Sequence, residues 1–111
     1  MTLFFYCQHS VGMGHLVRSS TLAAHLAETC DVVFLNGGQV PAGMPFPDAV
    51  ERVDLTPLGM REHGTLVSLT ASLSVDEALR ARRDRMVAEL GARRPDVLLI
   101  EDKYQMRLPR P

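Results

Sequence analysis

This chain of 111 residues has no tryptophan, only two cysteines and no long apolar run. Cys7 and Cys30 are too few for a tetrahedral zinc site, and no C-x-x-C motif is present, so we expect two reduced thiols and no metal. No apolar run approaches the roughly 18 residues that a bilayer-spanning helix needs. The first residues also lack the basic leader of a signal peptide. These absences predict a cytoplasmic protein without an integral membrane segment.

An excess of charge of one sign is also lacking, because the net charge is −1. The basic residues are dispersed, which gives no electrostatic reason to expect a nucleic-acid partner. Hydrophobic residues make up 46% of the chain. That share is enough for the core of one modest domain and argues against disorder.

The apolar pattern predicts four strands and two helices. Three compact apolar runs are typical of strands buried on both faces, and one alternating run predicts a strand nearer an edge. The first helix is expected from His15 to about Thr29, and residues 37–49 and 56–73 are expected to be loops. The strands are expected at Leu3–Cys7, Val32–Leu35, Val50–Leu55 and Val97–Ile100.

The second helix is predicted to start at Ser74, because Ser74 and Glu77 have the spacing of a capping box. Pro95 ends it. The cluster of charges at residues 82–85 is interpreted as a solvated face of this helix rather than a binding patch.

Strands that alternate with helices predict an α/β fold with a Rossmann-like parallel sheet. We expect the four predicted strands in the order 3-2-1-4. The carboxyl end of the first strand then borders the switch point, where such sheets bind ligands.

A glycine-rich turn, Gly12-Met13-Gly14-His15, follows the first strand at this place. Glycine lets a backbone turn sharply and approach a ligand closely, and the free N–H groups of a helix start attract anions. However, Val17 replaces the third glycine of the dinucleotide fingerprint, and Asn36 stands where its acidic residue is expected. A Gly-Lys-Ser/Thr phosphate loop is absent as well, so we predict no cofactor.

The remaining motif, G-x-G-H-x-x-R, has two interpretations. In one, Gly14 only permits close packing of strand and helix, and His15 is an ordinary helix residue. In the other, Gly12, Met13 and Gly14 hold a polar ligand, His15 is a base or hydrogen-bond donor, and Arg18 lies one turn on to support it. Glu101, at the end of the fourth predicted strand, either orients His15 in the same crevice or is a strand-end carboxylate in water.

A collinear series of short segments over about residues 3–101 carries a family resemblance. The segments are Phe5–Ser19, Leu35–Gly38, Val40–Gly43, Pro57–Met60, Gly64–Ser68, Arg82-Arg83 and Arg94–Glu101. Together they resemble predicted bacterial glycosyltransferases of the GT-B type, which are related to the peptidoglycan N-acetylglucosaminyltransferase. G-x-G-H-x-x-R also resembles the loop of the UDP-sugar hydrolase of pseudaminic acid synthesis.

The resemblance implies the amino-terminal, acceptor-side domain of a GT-B fold and an inverting, metal-independent transfer of a sugar from a nucleotide-sugar donor. His15 is then the base that activates an acceptor hydroxyl in a transferase, or a water in a hydrolase. In such enzymes a second domain holds most of the donor.

Residues 102–111 do not match the family pattern. We therefore expect residues 1–101 to be an incomplete domain followed by a non-matching tail, with a second domain absent. Such a fragment is expected to show little or no turnover alone. A nucleotide-sugar hydrolase and a non-catalytic, truncated or degenerate product remain the alternatives.

Overall fold

A computed structural model describes residues 1–8, 14–61 and 64–101. Four parallel strands form the main sheet, with one helix packed on each face, and two short antiparallel strands form a separate hairpin. The elements in chain order are β1 (Thr2–Cys7), α1 (Gly14–Leu26), β2 (Asp31–Asn36), β3 (Glu51–Asp54), β4 (Leu58–Met60), β5 (Leu66–Ser68), α2 (Val75–Arg93) and β6 (Val97–Glu101).

The order of the main sheet is β3-β2-β1-β6. These are the four strands predicted from the sequence, so the expected α/β class and the expected order 3-2-1-4 are confirmed. The strands are parallel, and β1 pairs with β6 up to Cys7 opposite Glu101. The arrangement is compatible with a Rossmann-like sheet.

Alternate residues of β1 and β2 face opposite helices, because side chains alternate across a strand. Phe5 and Phe34 lie on the α1 side, where they stack with their ring centroids 5.3 Å apart. Phe4 and Leu35 lie on the other side, against Met86 and Leu90 of α2. Both central strands are therefore buried on two faces, as their continuous apolar sequences predict.

Two predictions about the outer parts of the fold are wrong. The segment 56–73, expected to be a loop, contains the hairpin of β4 and β5. Its runs of three residues are too short to show a strand period. The last strand, β6, is an edge strand, and Leu98 and Ile100 are 42% and 45% exposed rather than buried. The apolar sequence of β6 predicts a strand, but it does not show how much of that strand the helices cover.

The second helix has the predicted capping box. The Glu77 N–H donates to the Ser74 hydroxyl, and the Ser74 N–H donates to the Glu77 carboxylate, each over 3.1 Å. The helix ends at Arg93, before Pro95. Its charged cluster is solvated at residues 83–85, but the prediction is wrong for Arg82, which is only 5% exposed.

Arg82 reaches from α2 to the carboxyl edge of the sheet. Its guanidinium donates to the carbonyl oxygens of Gly37 (2.7 Å) and Thr56 (3.0 Å), and to the Tyr6 hydroxyl and the Gln8 side-chain oxygen. These acceptors lie at the end of β1, just after β2 and just after β3. One buried cation thus ties together the exits of three neighbouring strands.

We expect Arg82→Met to lower the free energy of unfolding by about 2–4 kcal/mol, because it leaves several buried acceptors without a donor. Methionine keeps most of the side-chain volume, so the loss reports hydrogen bonding rather than a cavity. Urea unfolding followed by circular dichroism measures it. Arg83→Met, at an exposed neighbour, is the matched control and should change stability by no more than about 0.5 kcal/mol. Equal effects of the two substitutions would contradict the assignment.

A second arginine joins the end of α2 to the edge strand β3. Arg93 donates to Glu89 over 2.7 Å and also contacts the Glu51 carboxylate. Its hydrogen bonds lower the pKa of both carboxyl groups. The carboxylates are therefore stabilised in their charged form in the folded protein.

This contact predicts an acid-dependent loss of stability. A lowered folded-state pKa gives stability above the ordinary carboxyl pKa of 4.5, and that stability is lost as the pH falls through the lowered values. The difference in unfolding free energy between wild type and Arg93→Met should be constant above about pH 5.5 and should shrink below pH 4.5. Urea titrations from pH 3 to pH 7 test this, with Arg83→Met as control. A difference that does not depend on pH would refute the prediction.

Candidate active site

The candidate site lies at the carboxyl edge of the main sheet, between β1 and β6. The chain leaves β1 for α1 on one face, and α2 on the opposite face leads into β6. The two strands are neighbours, and the Gln8 N–H extends their pairing to the Glu101 carbonyl at 3.5 Å. Such a change of face opens a crevice at the strand ends, where open α/β sheets bind ligands.

His15 lies beside this end of the sheet, in the first turn of α1. Its side chain is 8% exposed, and neither ring nitrogen has a hydrogen-bond partner among the described residues. An unsatisfied buried polar group costs about 1–3 kcal/mol, so such groups are uncommon in folded proteins and need a reason. A ligand hydroxyl that bonded the imidazole would recover this free energy.

Glu101 comes to the same crevice from the end of β6. One of its carboxylate oxygens, Oε1, lies 3.6 Å from Nδ1 of His15. This is slightly longer than a hydrogen bond, and catalytic hydrogen bonds are often long before substrate binds. The structure therefore places Glu101 beside His15, as the first of its two interpretations expects, while the orienting role itself stays a prediction.

Ser19 is a third member of the site, and the sequence did not predict it as a site residue. Its hydroxyl is fully buried and donates to Oε2 of Glu101 over 2.8 Å. Ser19 follows His15 by four residues, so both side chains lie on one face of the helix. The spacing of four residues could have pointed to Ser19 as a neighbour of His15. It identifies a site residue only once Glu101 of β6 is known to lie against this face of α1.

The other predicted site residues have different positions. Gly14 is exposed at the start of α1, and an added Cβ would meet no atom of the other described residues within 4 Å. Packing against the described part of the chain therefore does not require glycine there. The Arg18 side chain is exposed, and no ion pair involves it among the described residues. Gly12 and Met13, like the tail 102–111, lie outside the described residues.

A second polar cluster lies at the ends of β2 and β3. Asn36 is 1% exposed and donates to Oδ1 of Asp54 over 3.0 Å, while Arg52 forms an ion pair with the same carboxylate. The carboxylate of Asp54 therefore lies beside Asn36, where the dinucleotide fingerprint expects an acidic residue, but both of its oxygens already accept hydrogen bonds. Asn36 and Asp54 line a cleft of about 600 Å³, together with Gly38 and Pro57.

Within the described ranges, no group of three metal-ligating side chains could hold a metal ion. The two helices of the described part are also too short or too polar to cross a membrane.

Comparison of the chain with protein-family models, with curated proteins and with solved structures found no match. The resemblance to GT-B glycosyltransferases therefore stays a prediction. What the chain can do has to be argued from the residues of the site.

Because a Cβ on Gly14 would contact no atom of the other described residues, we predict that folding does not need glycine at this position. Gly14→Ala should leave the free energy of unfolding unchanged or raise it by up to about 1 kcal/mol, because alanine restricts the unfolded chain. Gly37→Ala is the contrasting variant. A Cβ at buried Gly37 would collide with Gln8 and Arg82, and we expect a loss of about 1–3 kcal/mol. Thermal unfolding measures both. A marked loss for Gly14→Ala would restore the packing interpretation.

Proposed function

We propose that this chain is the acceptor-side domain of a GT-B-like glycosyltransferase, with His15 as the base. The observation that carries the proposal is the buried imidazole of His15, which has no hydrogen-bond partner among the described residues and lies beside a carboxylate at the switch point of a parallel sheet. The class of reaction, sugar transfer, comes from the resemblance of the chain to GT-B glycosyltransferases.

In the proposed reaction, an acceptor hydroxyl binds at Nε2 of His15. The acceptor oxygen attacks the anomeric carbon of the donor while its proton passes to Nε2, and the bond from that carbon to the nucleoside diphosphate breaks. Glu101, on the Nδ1 side, stabilises the imidazolium that forms, as a carboxylate does in catalytic triads. A positioned base of this kind contributes about 10²–10⁴-fold to a rate.

Each flanking feature has a role that its position allows. Gly14, at the start of α1, has no atom of the other described residues near the place of a Cβ, so a polar ligand can approach its backbone closely. Exposed Arg18, one turn further, is free to meet a negatively charged part of a ligand. By the resemblance, most of the nucleotide-sugar donor is held by a second domain.

A nucleotide-sugar hydrolase is the second candidate, because the same histidine and carboxylate can activate a water instead of an acceptor hydroxyl. The transferase is preferred because the resemblance to it covers about residues 3–101, whereas the resemblance to the hydrolase rests on the loop G-x-G-H-x-x-R. Free sugar measured against transferred sugar distinguishes the two reactions.

The test is binding of sugar probes to the ¹⁵N-labelled 111-residue chain, followed by NMR. The probes are UDP-N-acetylglucosamine and methyl glycosides of N-acetylglucosamine, glucose and galactose. We expect at least one glycoside to shift the resonances of His15, Ser19 and Glu101. His15→Gln should weaken that binding at least tenfold, and His25→Gln, at an exposed histidine of the same helix, should not.

Free sugar is measured in the same samples. Little or no turnover by this chain fits the proposed acceptor-side role, whereas rapid release of free sugar that His15→Gln abolishes would favour the hydrolase. Probes that shift only residues of the Asn36–Asp54 cleft, or that shift none, would contradict the proposal.

A further inference from the structure

We propose that Ser19 is the positioning residue of this site. Its hydroxyl holds the Glu101 carboxylate so that the carboxylate fixes the His15 ring with the proton on Nδ1 and a free lone pair on Nε2. For its catalytic meaning this inference rests on the proposed function, but the geometry that it describes exists without substrate.

The argument begins with the two oxygens of Glu101. Oε2 accepts the Ser19 hydroxyl at 2.8 Å, and Oε1 faces Nδ1 of His15 at 3.6 Å. A carboxylate at the end of an edge strand can rotate about its side-chain bonds, and Glu101 is one-third exposed. The bond to a fully buried hydroxyl removes that freedom and turns the second oxygen toward the imidazole.

The tautomer of a histidine is set by the hydrogen bond that one ring nitrogen makes. Glu101 is the charged group within 4 Å of the His15 ring among the described residues, and Arg18 on the same helix is exposed. At 3.6 Å from Nδ1 the Glu101 oxygen is just beyond hydrogen-bond range, but its negative charge lowers the energy of the tautomer that carries the proton on Nδ1. Nε2 is then left unprotonated, which is the form that a general base needs.

Ser20 provides the contrast that makes this specific. It is also a buried serine of α1, but its hydroxyl donates to the Val17 carbonyl of its own helix over 3.0 Å. The two serines have the same chemistry and nearly the same burial. Only Ser19 reaches a group on another element.

The experiment reads the tautomer from long-range ¹H–¹⁵N correlations of the histidine rings, at a pH where they are neutral. The His15 signals are identified by their loss in His15→Gln. We expect Nδ1–H as the dominant form in the wild type, loss of that dominance in Ser19→Ala, and no change in Ser20→Ala. Glu101→Leu should give the same loss as Ser19→Ala. Ser19→Cys, which keeps the volume with a weaker donor, repeats the test if the alanine variant does not fold.

Three results would overturn the proposal: Nε2–H as the dominant form in the wild type, an unchanged tautomer in Ser19→Ala, or equal effects of the two serine substitutions. A tautomer that depends on Ser19, in a protein that binds no sugar at His15, would refute the proposed function and leave the positioning role standing. Sugar binding at His15, together with a tautomer that does not change in Ser19→Ala, would refute the positioning role and leave the proposed function standing.

Discussion

The buried charge of Arg82 is the constraint on which the carboxyl edge of this sheet depends. A guanidinium taken out of water must have its donors satisfied, and here the acceptors are backbone carbonyls and neutral side chains at three strand ends. The cation can be buried only if those ends hold their places. It therefore fixes the point at which the chain leaves β1 toward the glycine-rich turn.

The candidate site differs from Arg82 in that its buried polar group, the His15 imidazole, has no hydrogen-bond partner among the described residues. Arg82 on the α2 side donates four hydrogen bonds, whereas His15 on the α1 side makes none within the described ranges. Proteins keep such a group when function repays the free energy that it costs. The contrast between the two faces of one sheet edge separates the residue that holds the fold from the residue available for chemistry.

Glu101 and Ser19 connect that chemistry to the sheet. The register that places Cys7 opposite Glu101 brings the β6 carboxylate beside the first two turns of α1. A shift of β6 by one residue would turn the carboxylate to the α2 face, away from His15. Several apolar side chains of β6 are partly exposed, so their burial holds the strand only weakly. The position of Glu101 therefore depends mainly on the backbone pairing of β6 with β1.

The local sequence determined the strands β1 and β2, the capping box of α2 and the strand order, because these follow from periodicity, capping and the handedness of crossovers. It could not show the hairpin of β4 and β5, whose strands are too short for a period, or the exposure of β6. Arg82 lies four residues after buried Ala78 and four before Met86, on the face of α2 that packs on the sheet, yet its charge made a solvated position the natural prediction. The sequence offered Glu101 as a neighbour of His15 but left a solvated carboxylate equally open. The burial of Arg82, the choice between the two positions of Glu101 and the bond from Ser19 were decided by tertiary structure. The acceptors of Arg82 come from three separate segments, and Ser19 and Glu101 are 82 residues apart. No local pattern records which distant groups will satisfy a buried side chain.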